Sequence, residues 1–191
     1  MPDTAIQTVY FGSGGNQNTE QTLAMAKARA EEAGIRSILV ATTSGETGRR
    51  AAELFAGYNV VVVTHSTGFK GPDVQELTPE NRTAIERAGA KILTAQHAFG
   101  GVGRAVRIKW GTYELEEIIA YTLRLFGQGT KVACEIALMA ADAGLVRTDE
   151  DAIAIGGSGR GADTALVLRP VNAMRFFDLK VREVLCKPRD F

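Results

Sequence analysis

The sequence predicts an α/β fold with a mainly parallel sheet. Apolar strand-like runs alternate with helical patterns almost from end to end, which is the signature of strands joined by crossover helices. The run Asn59 to Thr64 carries valine after valine, which suits a strand buried on both faces. Several strand-like runs are followed at once by turns rich in glycine and hydroxyl residues.

Taken in order, Thr8 to Phe11 reads as a short first strand, followed by Gly12-Ser13-Gly14-Gly15. Asn18, with Gln21 three residues on, reads as a capping-box variant that opens a helix to about Ala33, closed by Gly34. Ser37 to Ala41 is the second strand, a helix runs from about Thr47 to Phe55, and Asn59 to Thr64 is the third strand. Ser66 to Leu77 reads as an irregular loop. It ends at Thr78-Pro79-Glu80, where a capping hydroxyl precedes a proline at the first helical position of a helix that stops near Gly89. Ala90 to Ala95 is the next strand, and a glycine-rich loop extends through Gly103. Thr112 then caps a helix whose inward stripe is Leu115, Ile118, Ile119 and Thr122, and Lys131 to Ala143 is a further helix ending at Gly144. Ala152 to Ile155, Thr164 to Leu168 and Val181 to Cys186 are the remaining strands, with the loop Gly156 to Asp163 between the first two. No linker or repeat divides the chain, so residues 1–191 are read as a single domain.

Composition narrows the function classes. Lys plus Arg and Asp plus Glu are both 22, so no global field draws the chain to nucleic acid or to an anionic membrane. The basic stretch Arg104 to Lys109, followed by Trp110, reads as a solvated face. Cys134 and Cys186 are far apart and make neither a disulfide framework nor a metal-ligand spacing, which fits a reducing, cytoplasmic compartment. The N-terminus lacks the basic-then-apolar profile of a signal peptide, and Glu135 and Asp142 interrupt the longest apolar region. The helix Tyr113 to Phe126 carries Tyr113, Tyr121, Leu125 and Phe126 outside its inward stripe, which points to a homo-oligomer.

In an open α/β sheet ligands bind outside the carboxyl ends of the strands, where the strand order reverses, so the unusual loops converge on one edge. The turn Thr42 to Gly48 offers N–H groups at a helix start and the hydroxyls of Thr43, Ser44 and Thr47, with Gly45 and Gly48 leaving the backbone open. That set suits a dianionic phosphate, and it equally suits a well-capped helix with no ligand. Gly157, Ser158, Gly159, Arg160 and Gly161 form a second candidate loop, with Asp163 bracing it. Neither stretch is a Walker A loop or a dinucleotide fingerprint. His65 and His97 each follow a strand and precede a phenylalanine and a glycine, so His65, Phe69, His97 and Phe99 are placed on the ligand edge, against the alternative of structural histidines and core rings. No nucleophile–base–acid set is visible. Glu46 is expected to point to solvent, and Cys134 to lie in the core.

Ala41-Thr42-Thr43-Ser44-Gly45-Glu46-Thr47 resembles the Thr-x-Ser-Gly-x-Thr phosphate loop of the C-terminal domain of pyruvate kinase, and Gly157-Ser158-Gly159 through Leu168 resembles a later stretch of that domain. Val63-Thr64-His65, Thr122 to Gly129, Met139 to Leu145 and Gly159 to Ala165 extend the resemblance over nearly the whole chain, to a stand-alone family of pyruvate kinase C-terminal-like proteins. The resemblance implies a three-layer α/β/α fold with core strand order 3-2-1-4-5, its last strand antiparallel, and it sets Ile38 to Ala41 beside Ala152 to Ile155 at the reversal. It implies no phosphoryl transfer from phosphoenolpyruvate, since nothing before residue 37 accommodates the kinase barrel. It suggests bound FMN as cofactor. A module that senses a phosphorylated metabolite such as a sugar bisphosphate, without chemistry of its own, is the alternative.

Overall fold

The computed structural model describes residue 3 and residues 5–191. A mixed seven-stranded sheet is built from β1 (Val9–Phe11), β2 (Ser37–Thr42), β3 (Asn59–Thr64), β4 (Lys91–Leu93), β5 (Ala152–Gly156), β6 (Thr164–Arg169) and β7 (Lys180–Pro188), in the order β1-β7-β6-β5-β2-β3-β4. The segment β4-β3-β2-β5-β6 is the expected 3-2-1-4-5 core. Its first four strands pair parallel and β6 runs antiparallel to β5. Ile38 stands opposite Ile153 and Val40 opposite Ile155, so the reversal point lies between β2 and β5. β7 pairs antiparallel to β6 and β1 parallel to β7, which extends the sheet beyond that core.

Strand alternation divides the interior into two layers. Ile38, Val40, Val60, Val62, Ile153 and Ile155 face α1 (Thr19–Ala33), α2 (Glu46–Leu54) and α3 (Pro79–Arg87), whose Leu23, Ala26, Ala51, Ala52 and Ile85 fill that side. Leu39, Val61, Val63, Ala152, Ala154 and Leu166 face the other way, toward α6 (Gln128–Asp142). α6 is buried nearly all round and comes unusually close to the sheet. A Cβ on Gly129 would lie 2.1 Å from Thr164 Oγ1. The remaining helices, α4 (Val102–Trp110) and α5 (Leu115–Arg124), lie at the margin of this second layer.

Several local expectations are corrected. Asn18 stands at the N-cap of α1 but makes no cap bond, because its Nδ2–H donates to the Ser13 carbonyl at 2.8 Å. The basic stretch 104–109, read as a solvated face, lies on a helix not expected there, α4, with Gly101 (φ 67°) before it and Gly111 (φ 73°) after it as the left-handed residues that start and stop it. α5 begins after Glu114 and not at Thr112. Its inward face is Glu117, Ile119, Ala120 and Leu123, whereas Leu115 and Ile118 are exposed. The physical reason is the half-buried Arg107 of α4, whose Nε–H donates to buried Glu117 at 2.8 Å and so turns that face of α5 inward. A 3-10 segment at Ala173–Asp178 had no counterpart among the expected elements. Thr78 caps α3 as read, accepting the Asn81 N–H at 3.3 Å.

Candidate functional site

A cleft of about 980 Å³ opens at the carboxyl ends of β2, β3 and β5. Thr43, Ser44, Thr47, His65, Phe69, His97, Gly157, Ser158, Gly159, Arg160 and Gly161 all line it. Gly45, Gly48, Phe99 and Asp163 do not, and each has a structural task. Gly45 (φ 99°) turns the chain into α2 against Asn81 and Leu77, and Gly48 lets α2 approach Val62. Phe99 is a core ring, edge-on to Phe176 with centroids 5.7 Å apart, which corrects its placement on the ligand edge.

At one end of the cleft the turn between β2 and α2 is held from within. Buried Thr42 turns its Oγ1 inward to accept the N–H groups of Gly45 (3.1 Å) and Gly48 (3.4 Å). The Ser44 carbonyl accepts the Thr78 N–H at 3.1 Å and the Asn81 Nδ2–H at 3.0 Å, which ties the turn to the start of α3. Helix geometry leaves the first N–H groups of α2 without an intrahelical acceptor. Among the described residues the N–H groups of Glu46 and Thr47 and the Thr47 hydroxyl have no hydrogen-bond partner. Glu46 stands at the rim of the cleft with its side chain exposed to solvent, as expected, and its charge is met by Arg50, whose Nη2 is 2.7 Å from Glu46 Oε1 and whose Nη1 is 2.6 Å from Glu20 Oε1.

The second loop owes its shape to Asp163, which is fully buried. Asp163 Oδ2 accepts the N–H groups of Gly15 (2.9 Å) and Ser158 (3.0 Å), and Oδ1 accepts the Thr164 hydroxyl at 2.9 Å. This brings the loop after β1 against residues 157–161 and adds Asn16 and Thr19 to the lining. Gly161 (φ 76°) is required by the chain itself, since a Cβ there would meet Thr19 Oγ1 at 2.4 Å and Asn16 Cα at 2.5 Å. Gly161 lines the cleft and at the same time makes way for the loop after β1.

The opposite end is aromatic and titratable. The ring of Phe69 lies 4.3 Å from that of His65 and 5.0 Å from that of His97, and the two imidazoles are 5.5 Å apart. His65 Nδ1 donates to Glu76 Oε2 at 2.8 Å. His97 Nε2 accepts the Ser66 N–H at 3.3 Å, and burial holds this imidazole below its ordinary 6.5 against the upward pull of Glu135. The Arg104 guanidinium rests 4.9 Å over Phe69. Sequence reasoning missed the ion pair beneath: Lys131 and Glu135, both nearly buried on α6, bond to one another, while Glu135 Oε1 accepts the Phe99 N–H at 2.9 Å. A lysine and a glutamate one turn apart, with only Val, Ala and Cys between them and Ile136 to Ala141 apolar beyond, were the available signal, because charges are placed in such surroundings at a cost.

The family model of the pyruvate kinase alpha/beta domain matches residues 20–168. Among solved structures, a pyruvate kinase from Cryptosporidium parvum is 16% identical with a TM-score of 0.43, covering 80% of this chain and 23% of the kinase. The Cryptosporidium parvum pyruvate kinase in complex with ADP is 15% identical with a TM-score of 0.41, covering 80% of this chain and 24% of that one. An O-ureido-L-serine synthase is 22% identical with a TM-score of 0.31, over 50% of this chain and 30% of the synthase. This chain thus spans about a quarter of the kinases' length. It belongs to the pyruvate kinase alpha/beta domain family.

Proposed function

We propose that this member of the pyruvate kinase alpha/beta domain family binds FMN, with its phosphate at the turn Thr43 to Gly48 and its ring toward Phe69, His65 and His97. The observation that carries the reading is the set of open donors at the start of α2, the Glu46 and Thr47 N–H groups with the Thr47 hydroxyl, all facing one cleft. Helix starts attract anions through such N–H groups and through the helix dipole. The donor set fits a phosphate, the 980 Å³ volume fits a ligand of this size, and Phe69 keeps an exposed side toward the cleft for a planar ring. FMN would supply electron-transfer chemistry. The protein's own part is to hold the phosphate, flank the ring and limit water; no reaction is assigned.

A second reading is favoured by the cations Lys70 and Arg104 at the aromatic end. A bisphosphate sugar would place its second phosphate there, and the protein would then be a sensor.

The test is direct titration. FMN is expected to bind far more tightly than riboflavin, which lacks the phosphate. Thr47→Val is expected to weaken FMN about ten- to a hundredfold, since a hydrogen bond to a charged acceptor contributes about 1.5–3 kcal/mol. Equal affinity for riboflavin and FMN would reduce the turn to a capped helix start. A thermal shift with fructose 1,6-bisphosphate but none with FMN would select the second reading.

A further inference from the structure

Beyond ligand binding, we propose that Lys131 is an amine nucleophile that captures a small 2-oxo acid as an imine at the aromatic end of the cleft, with Arg104 holding the carboxylate. The inference uses the end of the cleft opposite the phosphate turn and does not depend on FMN.

Two observations on different helices carry it. Lys131 lines the cleft although its side chain is only 6% exposed, so its amine is desolvated yet faces the space where a ligand enters. Arg104, on α4, is half-buried, lines the same cleft and has no acidic partner among the described residues. Its Nε is buried without a hydrogen-bond partner. Of the other arginines that line the cleft, Arg50 is engaged by Glu20 and Glu46 and Arg124 by Gln128, while Arg160 is exposed on the loop at the far end. Contact with the Phe69 ring, 4.9 Å from guanidinium carbon to ring centre, holds the Arg104 head at this wall of the cleft. A fixed, unpaired guanidinium is the group that best matches a planar carboxylate.

The chemistry balances without a co-reactant. Glu135 takes a proton from the Lys131 ammonium, and the nitrogen lone pair forms a bond to the carbonyl carbon while the C=O π pair moves to oxygen. The oxygen takes back that proton from Glu135 and then, again by way of Glu135, a second proton from the nitrogen, so that it leaves as water while the nitrogen lone pair closes a protonated imine. Ammonium plus carbonyl gives iminium plus water, with charge conserved and no oxidation. Burial lowers the Lys131 pKa from the ordinary 10.5, helped by Arg124 of α5 and Arg104 of α4 and opposed by Glu135 on its own helix; His97 faces the same group from the loop after β4. Desolvation beside other cations is a recognised way to activate lysine.

The test is reductive trapping with glyoxylate, the smallest 2-oxo acid, and sodium cyanoborohydride, followed by peptide mapping. A carboxymethyl group is expected on Lys131 ahead of exposed Lys70 and Lys109. Arg104→Gln should slow that labelling at least tenfold, while acetaldehyde, which lacks the carboxylate, should label wild type and variant alike. Lys131→Arg should lose the adduct. Label confined to exposed lysines in the wild-type protein, or an Arg104→Gln rate equal to wild type, would overturn the proposal. Neither readout involves FMN, so this inference and the FMN reading fail separately.

Discussion

His97 joins the site's two concerns, packing and protonation. Its Nε2 accepts the Ser66 N–H, a bond that a protonated imidazole cannot accept, and burial lowers its pKa. In the unfolded chain the same imidazole takes up its proton near pH 6.5, so below that pH the unfolded state binds more protons than the folded one. Stability should therefore be full above pH 6.5 and fall as the pH drops below it. His97→Gln should flatten this slope between pH 7 and pH 5, read as the difference in melting temperature across that interval, and an unchanged slope would remove His97 as its source. Single residues were unevenly legible in the sequence. His65 and Phe69 were placed by their position after a strand, because strand ends define the ligand edge whatever the details. Phe99 has the same local pattern yet packs inward, since Glu135 pins its backbone N–H and turns the ring toward Phe176. That pin comes from a helix 36 positions away, and no local pattern reports it.

At the scale of elements, the close approach of α6 to β6 decides how the second layer packs. Gly129 would ordinarily be improved by alanine, because glycine in a helix costs about 1 kcal/mol relative to alanine. Here the added Cβ would stand 2.1 Å from Thr164 Oγ1 and 2.5 Å from Thr164 Cβ, and Thr164 is fully buried in a central position of the sheet. Overpacking of this kind costs about 1–3 kcal/mol, so Gly129→Ala should lower rather than raise stability, by roughly 2–10 °C in melting temperature for a domain of this size. A stabilised variant would show that the helix moves aside freely. The sequence showed α6 as a helix from about Lys131 to Ala143 with Cys134 in the core, and the structure shows it buried nearly all round. Helix α4 was hidden: its glycine-rich start and basic composition also describe a surface loop, and what makes it a helix is its seat against α5 through Arg107 and Glu117.

For the whole molecule, the alternating patterns gave the α/β class and the family resemblance implied the core strand order, and the reversal between β2 and β5 explains why the loops at Thr43 and Gly157, 114 residues apart, share one cleft. What the sequence left undecided is the outside. α4 and α5 expose Val102, Ile108, Trp110, Tyr113, Leu115, Ile118, Tyr121, Leu125 and Phe126, with Ile108 at 77% and Leu125 at 74%. This is more apolar surface than the sequence pattern assigned to α5 alone, because Leu115 and Ile118 face out and a second helix joins them. Exposed apolar residues gathered on two neighbouring helices favour association, and a chain whose formal charges cancel has little repulsion to keep copies apart. We expect self-association through the α4–α5 face. Light scattering at micromolar concentration should return a multiple of the monomer mass, and Ile108→Lys with Leu125→Glu should return the monomer. Trp110 is the only tryptophan and lies on this face at 69% exposure, so its emission should be blue-shifted in the wild-type protein and red-shifted in the double variant. Both substituted side chains are exposed in the single chain, so the fold should persist, with the far-ultraviolet circular dichroism unchanged. A monomeric wild-type protein with fully solvated Trp110 emission would defeat this expectation. An oligomer that survives both charges would place the contact elsewhere, and Phe177 and Met174 of the 3-10 segment, exposed at 88% and 100%, would be the next residues to replace.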